Sequence, residues 1–346
     1  MRSFPLIALT ALAPMLALTG CGQQASRDQI KVVGSSTVYP FTTAVAEAFV
    51  NKSTQAKAPV IEQGGTGPGM KLFCGGIGVA HPDIVNASRR MKKSEFELCQ
   101  KNGVTEIIEV QIGSDGIALA ESVNGPKLAL TRKDIYLALA ANPGGKPNTA
   151  KTWADVNPSL PAIPIKVLGP PSTSGTRDAF AELILEKGCE AVSPDAKALK
   201  DSDKTKFENL CLLIRSDAAY IDSGENDNLI VQKLSTDPNS IGIFGYSYLE
   251  ENAQRLKGIP VEGVTPTYET IAGSTYPGAR ALYIYVKKQH LKAVPGLKEF
   301  LAQYAQMWAP DGPLVKRGLI AGPQAARDAS AKAIEMETLL DPASLK

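Results

Sequence analysis

Histidine is almost missing from this chain: His81 and His290 are the only two among 346 residues. Being so few and so far apart, they argue against a histidine-built metal site and leave little material for a Ser/His/Asp triad. An excess of one charge is missing too. Lys and Arg number 37 and Asp and Glu 35, a formal net charge of +2, and no long basic run occurs. Nucleic acid is therefore not an expected partner. The nucleotide loops G-x-x-x-x-G-K-[ST] and G-x-G-x-x-G are absent. So is any C-x-x-C pair, which weakens zinc and thioredoxin-like readings. There is no internal repeat and no low-complexity tract. What is present is a globular composition, 44% hydrophobic and 21% charged, at a length suited to two domains. Binding is a better expectation than catalysis.

Residues 1–20 carry one charge, Arg2, and an apolar run from Phe4 to Leu18. At about 15 residues the run is short of a membrane-spanning helix, and it matches the apolar region of a signal peptide. It ends in Leu18-Thr19-Gly20-Cys21, which resembles the lipobox of bacterial lipoproteins. Export, removal of 1–20, acylation of Cys21 and a small polar tether over 21–27 are expected. Cys74, Cys99, Cys189 and Cys211 agree with export. Four cysteines allow three pairings. The local one, Cys74–Cys99 and Cys189–Cys211, closes two loops of about 25 residues worth about 3 kcal/mol each, and it is the one expected.

β-rich apolar runs alternate with helical patterns. Ile30–Val33, Ile107–Val110, Ile117–Ala120, Ile163–Leu168, Ile241–Phe244 and Ala281–Val286 read as strands. Pro40–Asn51 reads as a helix, with proline at its first position and Phe41, Val45, Ala48 and Phe49 on one face. Ser94-x-x-Glu97 has the form of a capping box for a helix that stops before Gly103. Thr176–Lys187 reads as a helix closed by Gly188. Leu297, Phe300, Leu301, Tyr304, Met307 and Trp308 form a stripe at helical spacing, read as core packing. This alternation implies α/β domains with mostly parallel sheets. No Pro/Gly linker divides the chain, so it is expected to cross between its domains more than once.

Three loops of glycines and hydroxyl residues open helices. Gly34-Ser35-Ser36-Thr37-Val38-Tyr39-Pro40 follows a strand, and Gly64-Gly65-Thr66-Gly67-Pro68-Gly69 precedes the helical turn Met70–Phe73. Pro171-Ser172-Thr173-Ser174-Gly175-Thr176-Arg177 follows the strand that ends at Leu168. A helix N-terminus carries about half a positive charge and four unpaired N–H donors, so it holds an oxyanion well. One such loop is an ordinary cap and turn. Three in one exported chain can converge on one small tetrahedral anion. Asn86-Ala87-Ser88-Arg89-Arg90-Met91 sets a hydroxyl beside a guanidinium, whose planar fork suits an oxyanion. In Ile112-Gly113-Ser114-Asp115-Gly116-Ile117 the acid is a turn former by itself, and a proton acceptor if an anion lies beside it.

GSSTVYPF, GGTGPGMKLFCGG, DIVNASRRM, IGSDGIAL, PSTSGTRDAF and GYSYLEEN occur in this order. Through them the chain resembles the periplasmic phosphate-binding proteins of high-affinity phosphate ABC importers, over almost all of its mature length. The resemblance implies a type II periplasmic-binding-protein fold of two α/β lobes with mixed, mostly parallel sheets. Residues 28–118 with 280–346 would form one lobe and 119–279 the other, joined by two crossover segments around a ligand cleft. It implies a dehydrated phosphate held by hydrogen bonds, with no catalysis, no cofactor and no metal.

Carried over by position, the implied donors are Thr37 and Val38 with Ser36 beside them, Thr66 and Gly67, Ser88, and Ser174, Gly175 and Thr176. There are two departures. Where some members have an aspartate after Ala-Ser, this chain has Arg89. Where those members have an arginine before the Ser-Gly-Thr loop it has Pro170, with Arg177 after the loop. Arg89, Arg177 and Asp115 are the expected charged members, with Asp115 accepting the proton that phosphate keeps and sulfate lacks. The expected partners are phosphate and an inner-membrane permease. The chain is expected to act as a monomer anchored through Cys21 on the periplasmic side of the envelope. Sulfate or another tetrahedral oxyanion is the alternative ligand, and a secreted phosphate-releasing hydrolase is the alternative class.

Overall fold

Strands covered on both faces read as unbroken apolar runs, and such runs build the centre of the first sheet. In the computed structural model β1 (Lys31–Gly34) pairs in parallel with β2 (Val60–Gln63) and with β3 (Ile84–Ala87), every residue of which is buried. The described residues are 28–345 apart from 36, 53–56, 173, 225 and 226. The expected signal peptide, Cys21, the tether and Ser36 lie outside them.

The next strand, β4 (Ile107–Ser122), is 16 residues long and belongs to two sheets. Its first part lies antiparallel to β9 (Ala279–Lys287), which lies antiparallel to β3, giving the order β2-β1-β3-β9-β4. Its last part pairs antiparallel with β7 (Ile241–Gly245) and with β8 (Leu256–Gly258). Parallel ladders then add β5 (Val167–Gly169) and β6 (Tyr220–Asp222) beyond β7. The sheets are mixed, as expected. Parallel ladders do not outnumber antiparallel ones, because β4 and β9 oppose each of their neighbours.

The apolar stripe of the C-terminal region is core. Leu297, Phe300, Leu301 and Tyr304 of the helix Leu297–Ala305 pack with Phe41, Val45 and Phe49 of the helix Tyr39–Lys52 over one face of the first sheet. Phe300 meets both Phe49 and Tyr304 edge-on at 5.6 Å, geometry worth about 0.5–1.5 kcal/mol per pair beyond burial. Met70, Phe73, Met91 and Val104 fill the other face, where the disulfide Cys74–Cys99 is buried. A separate core surrounds the second sheet and contains the disulfide Cys189–Cys211.

Several local expectations change. Ile107–Val110 and Ile117–Ala120 are one strand, not two. The glycine-rich stretch between them is a bulge, with a register shift between Gln111 and Gly113. Gly113 has φ 155, and a Cβ there would lie 2.7 Å from the Ile320 carbonyl, so the strand bends where only glycine fits. Of Ile163–Leu168 only the end is strand, because the Pro161–Pro164 stretch turns, with the Ile163 N–H donating to the Pro161 carbonyl. The helix after Lys92 is boxed by Glu95, not Glu97, since the Glu95 carboxylate accepts the Lys92 N–H at 2.9 Å.

Gly188 does not close its helix. Gly175–Phe180 continues through a π-helical stretch, Ala181–Leu185, into Glu186–Val192. Gly188 sits inside because the helix Arg132–Leu139 crosses there, and a Cβ would lie 2.2 Å from the Arg132 carbonyl. A glycine read as a stop signal is a helix-crossing point.

Candidate functional site

The loop after β1 is shaped by close backbone approach. Gly34 has φ 126, and a Cβ there would meet the Asn86 carbonyl at 2.3 Å. Gly69, in the helix Thr66–Phe73, is packed so closely that its Cβ would lie 2.5 Å from the Gly34 Cα. The Gly34 carbonyl accepts the N–H groups of Gly64 and Gly65, both at 2.9 Å, so the first two glycine loops are tied together. The Thr66 hydroxyl accepts the Ser88 N–H at 3.0 Å, and its oxygen lies 3.0 Å from that of Ser88. Beneath them, Tyr304 donates to Thr42 and Thr42 to the Asn86 side chain, at 2.7 and 2.9 Å. This network fixes the floor of the site.

These loops form one wall of a cleft of about 870 Å³. Ser35, Thr37, Gln63, Gly64, Gly65, Thr66, Ser88 and Arg280 line that side. Ser172, Arg177, Asp178, Ala181, Glu182, Glu208, Asn209 and Leu212–Ile214 line the other. The walls come from elements around the two different sheets. Of the expected residues, Thr37, Thr66, Ser88 and Arg177 are therefore brought to one cleft. Val38, Gly67, Arg89, Asp115, Ser174, Gly175 and Thr176 are not among the lining residues.

Most residues off the lining have partners of their own. The Val38 side chain is core, and its N–H points to the Ser35 hydroxyl at 3.4 Å. Gly67 faces open space. Ser174 caps its helix by accepting the Thr176 N–H at 3.2 Å, with Gly175 between them exposed. Arg89 gives both arms of its guanidinium to Glu95, at 2.9 and 2.7 Å. The Asp115 carboxylate lies 3.4 Å from Arg280 Nε.

Arg177 is set by packing. Its guanidinium lies 4.5 Å above the Tyr220 ring and donates to the Pro170 carbonyl, which also accepts the Tyr220 hydroxyl at 2.7 Å. Burial pushes the Tyr220 phenol up to about 12 although Arg177 pulls it down, so it stays a donor. Beside Arg177, burial and then the Glu182 charge hold the Asp178 carboxyl above the usual aspartate range, against Arg280 and Arg177.

Arg280 is the central residue that sequence reasoning missed. It is 9% exposed. Nη2 donates to Thr37 Oγ1 at 2.9 Å, Nη1 to Glu182 Oε2 at 2.6 Å, and Nε lies near Asp115. The one available signal was a charge near the start of the apolar strand Ala279–Lys287, and it belongs to no motif. A buried, always-charged fork beside hydroxyls and backbone loops suits a planar or tetrahedral oxyanion. The hydroxyls of Thr37, Thr66 and Ser88 with the guanidiniums of Arg177 and Arg280 can hold an anion; Asp178, Glu182 and Glu208 share that cleft with them.

Two sheets joined through a shared strand, with such a cleft between their elements, define a two-lobed binding protein of type II architecture. A family model described as the PBP superfamily domain matches residues 19–305. Protein SphX of Synechococcus elongatus is 32% identical over 290 residues, 82% of this chain and 74% of that protein. The phosphate-binding protein PstS of Staphylococcus saprophyticus is 31% identical over 318 residues, 87% and 85% of the two chains. A solved structure of a possible phosphate binding protein from Planctomyces limnophilus has TM-score 0.70 at 27% identity, covering 89% of this chain and 98% of that one. An ABC-type phosphate transport receptor from Vibrio cholerae shares the fold, with TM-score 0.57 at 20% identity over 84% and 99% of the chains. The chain belongs to the PBP superfamily and, within it, to the family of the SphX and PstS proteins.

Proposed function

We propose that the chain binds inorganic phosphate outside the cytoplasm and delivers it to the permease of an ABC importer, without catalysing a reaction on it. The observation that carries this reading is the cleft wall of Thr37, Thr66, Ser88 and Arg280 facing Arg177. It supplies hydroxyl donors and two permanent charges to a small oxyanion. Relatives over most of the chain are named phosphate-binding proteins.

Residues 28–118 with 280–346 form the first lobe in this reading, and 119–279 the second. The cleft is far roomier than one anion, so the lobes close on the ligand to bring the Ser174–Thr176 helix start onto it. Cys21 carries the lipid anchor and the mature protein acts as a monomer on the periplasmic side. Among the described residues no helix is long and apolar enough to cross a membrane.

Calorimetry on the mature domain, phosphate against sulfate, tests the ligand. Submicromolar phosphate binding with weak sulfate binding is expected. Preference for sulfate would reassign the ligand to another oxyanion. Release of product from a chromogenic phosphate ester at an enzymatic rate would reassign the class to a hydrolase.

A further inference from the structure

Arg280 carries a carboxylate of its own chain on the face where an anion would bind. Glu182 belongs to the wall opposite Arg280, yet its Oε2 lies 2.6 Å from Nη1. It stands in the π-helical stretch Ala181–Leu185, where one extra residue per turn shifts the helix face. The pair is asymmetric. The Arg280 side chain is 9% exposed and has a second partner in Thr37, whereas the Glu182 side chain is 58% exposed. The arginine is fixed and the glutamate is free to swing into water.

Resting on the phosphate-binding reading, we propose that Glu182 is an internal stand-in for the ligand. It occupies Arg280 in the empty protein and must be displaced when an anion binds. A carboxylate offers the guanidinium one charge and two oxygens. An incoming monoanion offers no more, and it brings the cost of association as well. A tetrahedral dianion offers a second charge, and its remaining oxygens reach toward Thr37, Thr66 and Ser88. Competition of this kind divides the affinity for every anion by the same factor, the inverse of the fraction of protein with Arg280 free. Glu182 therefore does not rank anions. It sets the floor below which weak anions leave the cleft empty, and it ties the two walls together until a strong one arrives.

The test compares two variants that each remove one negative charge from the cleft. Among the described residues the ion-pair partners of Arg280 are Asp115 and Glu182, while Asp178 lines the same cleft. Phosphate and sulfate calorimetry is run on the wild-type mature domain, Glu182→Gln and Asp178→Asn. Glu182→Gln is expected to tighten phosphate and sulfate alike, by about fivefold, the scale of a part-exposed ion pair. Asp178→Asn, which changes the field without freeing Arg280, is expected to tighten them by about twofold or less. Equal gains in the two variants would mean a general field effect and overturn the proposal. Unchanged or weaker phosphate binding in Glu182→Gln would overturn it too, the weaker case placing Glu182 on the bound anion as an acceptor. Absence of phosphate binding in the wild type would instead refute the underlying reading of function.

Discussion

Arg280 and Asp115 are cross-strand neighbours on β9 and β4, with Nε 3.4 Å from Oδ2. Nε is buried and has no hydrogen-bond partner among the described residues, so the Asp115 carboxylate is its nearest compensating charge. This geometry favours a role for Asp115 in positioning the arginine. Asp115→Asn is expected to cost about 1–2 kcal/mol of stability, by removing one of the two carboxylates paired with a buried charge. The ratio of phosphate to sulfate affinity should stay as it was. Urea unfolding and competition calorimetry measure the two quantities. A collapse of the ratio would return Asp115 to the ligand as its proton acceptor.

Arg280 and Arg89 should separate cleanly. Arg280→Lys loses the fork that reaches Thr37 and a cleft anion together, and phosphate affinity should fall by about two orders of magnitude. Arg89→Lys disturbs a guanidinium already held by Glu95, and its effect on affinity should be within about twofold. Titration of both variants under one buffer decides it. The reverse ranking would move the anion to the Arg89 side.

Glu95 gives a pH signature. Burial pushes its carboxyl up, but hydrogen bonds from Arg89 and the Lys92 N–H more than offset this, so its pKa lies below the usual 4.5. A folded-state pKa below the unfolded one stabilises the protein above the unfolded value, and that contribution fades as pH falls through the folded value. Glu95→Gln should therefore cost about 1 kcal/mol at neutral pH and progressively less in acid below the usual 4.5. Unfolding curves at neutral and acid pH would expose the opposite case, a penalty that does not change.

Cys74 follows directly on the helix Thr66–Phe73, whose first residue lines the cleft, and it is bonded to Cys99 across 25 residues. In the chain-entropy account that closure is worth about 3.5 kcal/mol. The Cys74→Ser/Cys99→Ser double variant should lose about that much stability and also weaken phosphate binding, since the helix brace goes with it. The matching pair at Cys189 and Cys211 braces the other wall's helix. Loss of stability with untouched binding in the Cys74 variant would show that the brace is purely structural.

If acyl chains on Cys21 supply the proposed anchor, replacing Cys21 with Ser should move the protein from the membrane fraction to soluble or unprocessed material. Fractionation with an immunoblot reads this directly. Normal processing and continued membrane attachment would refute the anchor.

Local patterns were legible and distant juxtapositions were not. The helix Tyr39–Lys52 differs from its sequence reading by one residue at each end, because proline, spacing and composition all agreed there. Thr37, Thr66 and Ser88 could be found because each lies in a loop whose chemistry is visible within a few residues. Arg280 could not, since its partner Thr37 is 243 residues away and Glu182 is 98. Gly113 and Gly188 misled for one reason. Glycine serves both for turns and for close contact, and only the fold tells which. Asp115 reads as a ligand group from its small sequence neighbours, and its ion-pair partner Arg280 on β9 is invisible at that range.

The continuity of β4 also bears on the mechanics of the molecule. Because one strand supplies hydrogen bonds to both sheets, the join is stitched on the β9 side up to Gly116 and on the β7 side from Ile117. A hinge made of free loops swings through wide angles at almost no elastic cost. A hinge made of a paired strand with a single bulge behaves as a torsion spring: it yields by twisting about its own axis and stores a restoring force as it does. If the two halves close on an anion as proposed, reopening would then be partly driven by the backbone, like the return of sprung sugar tongs.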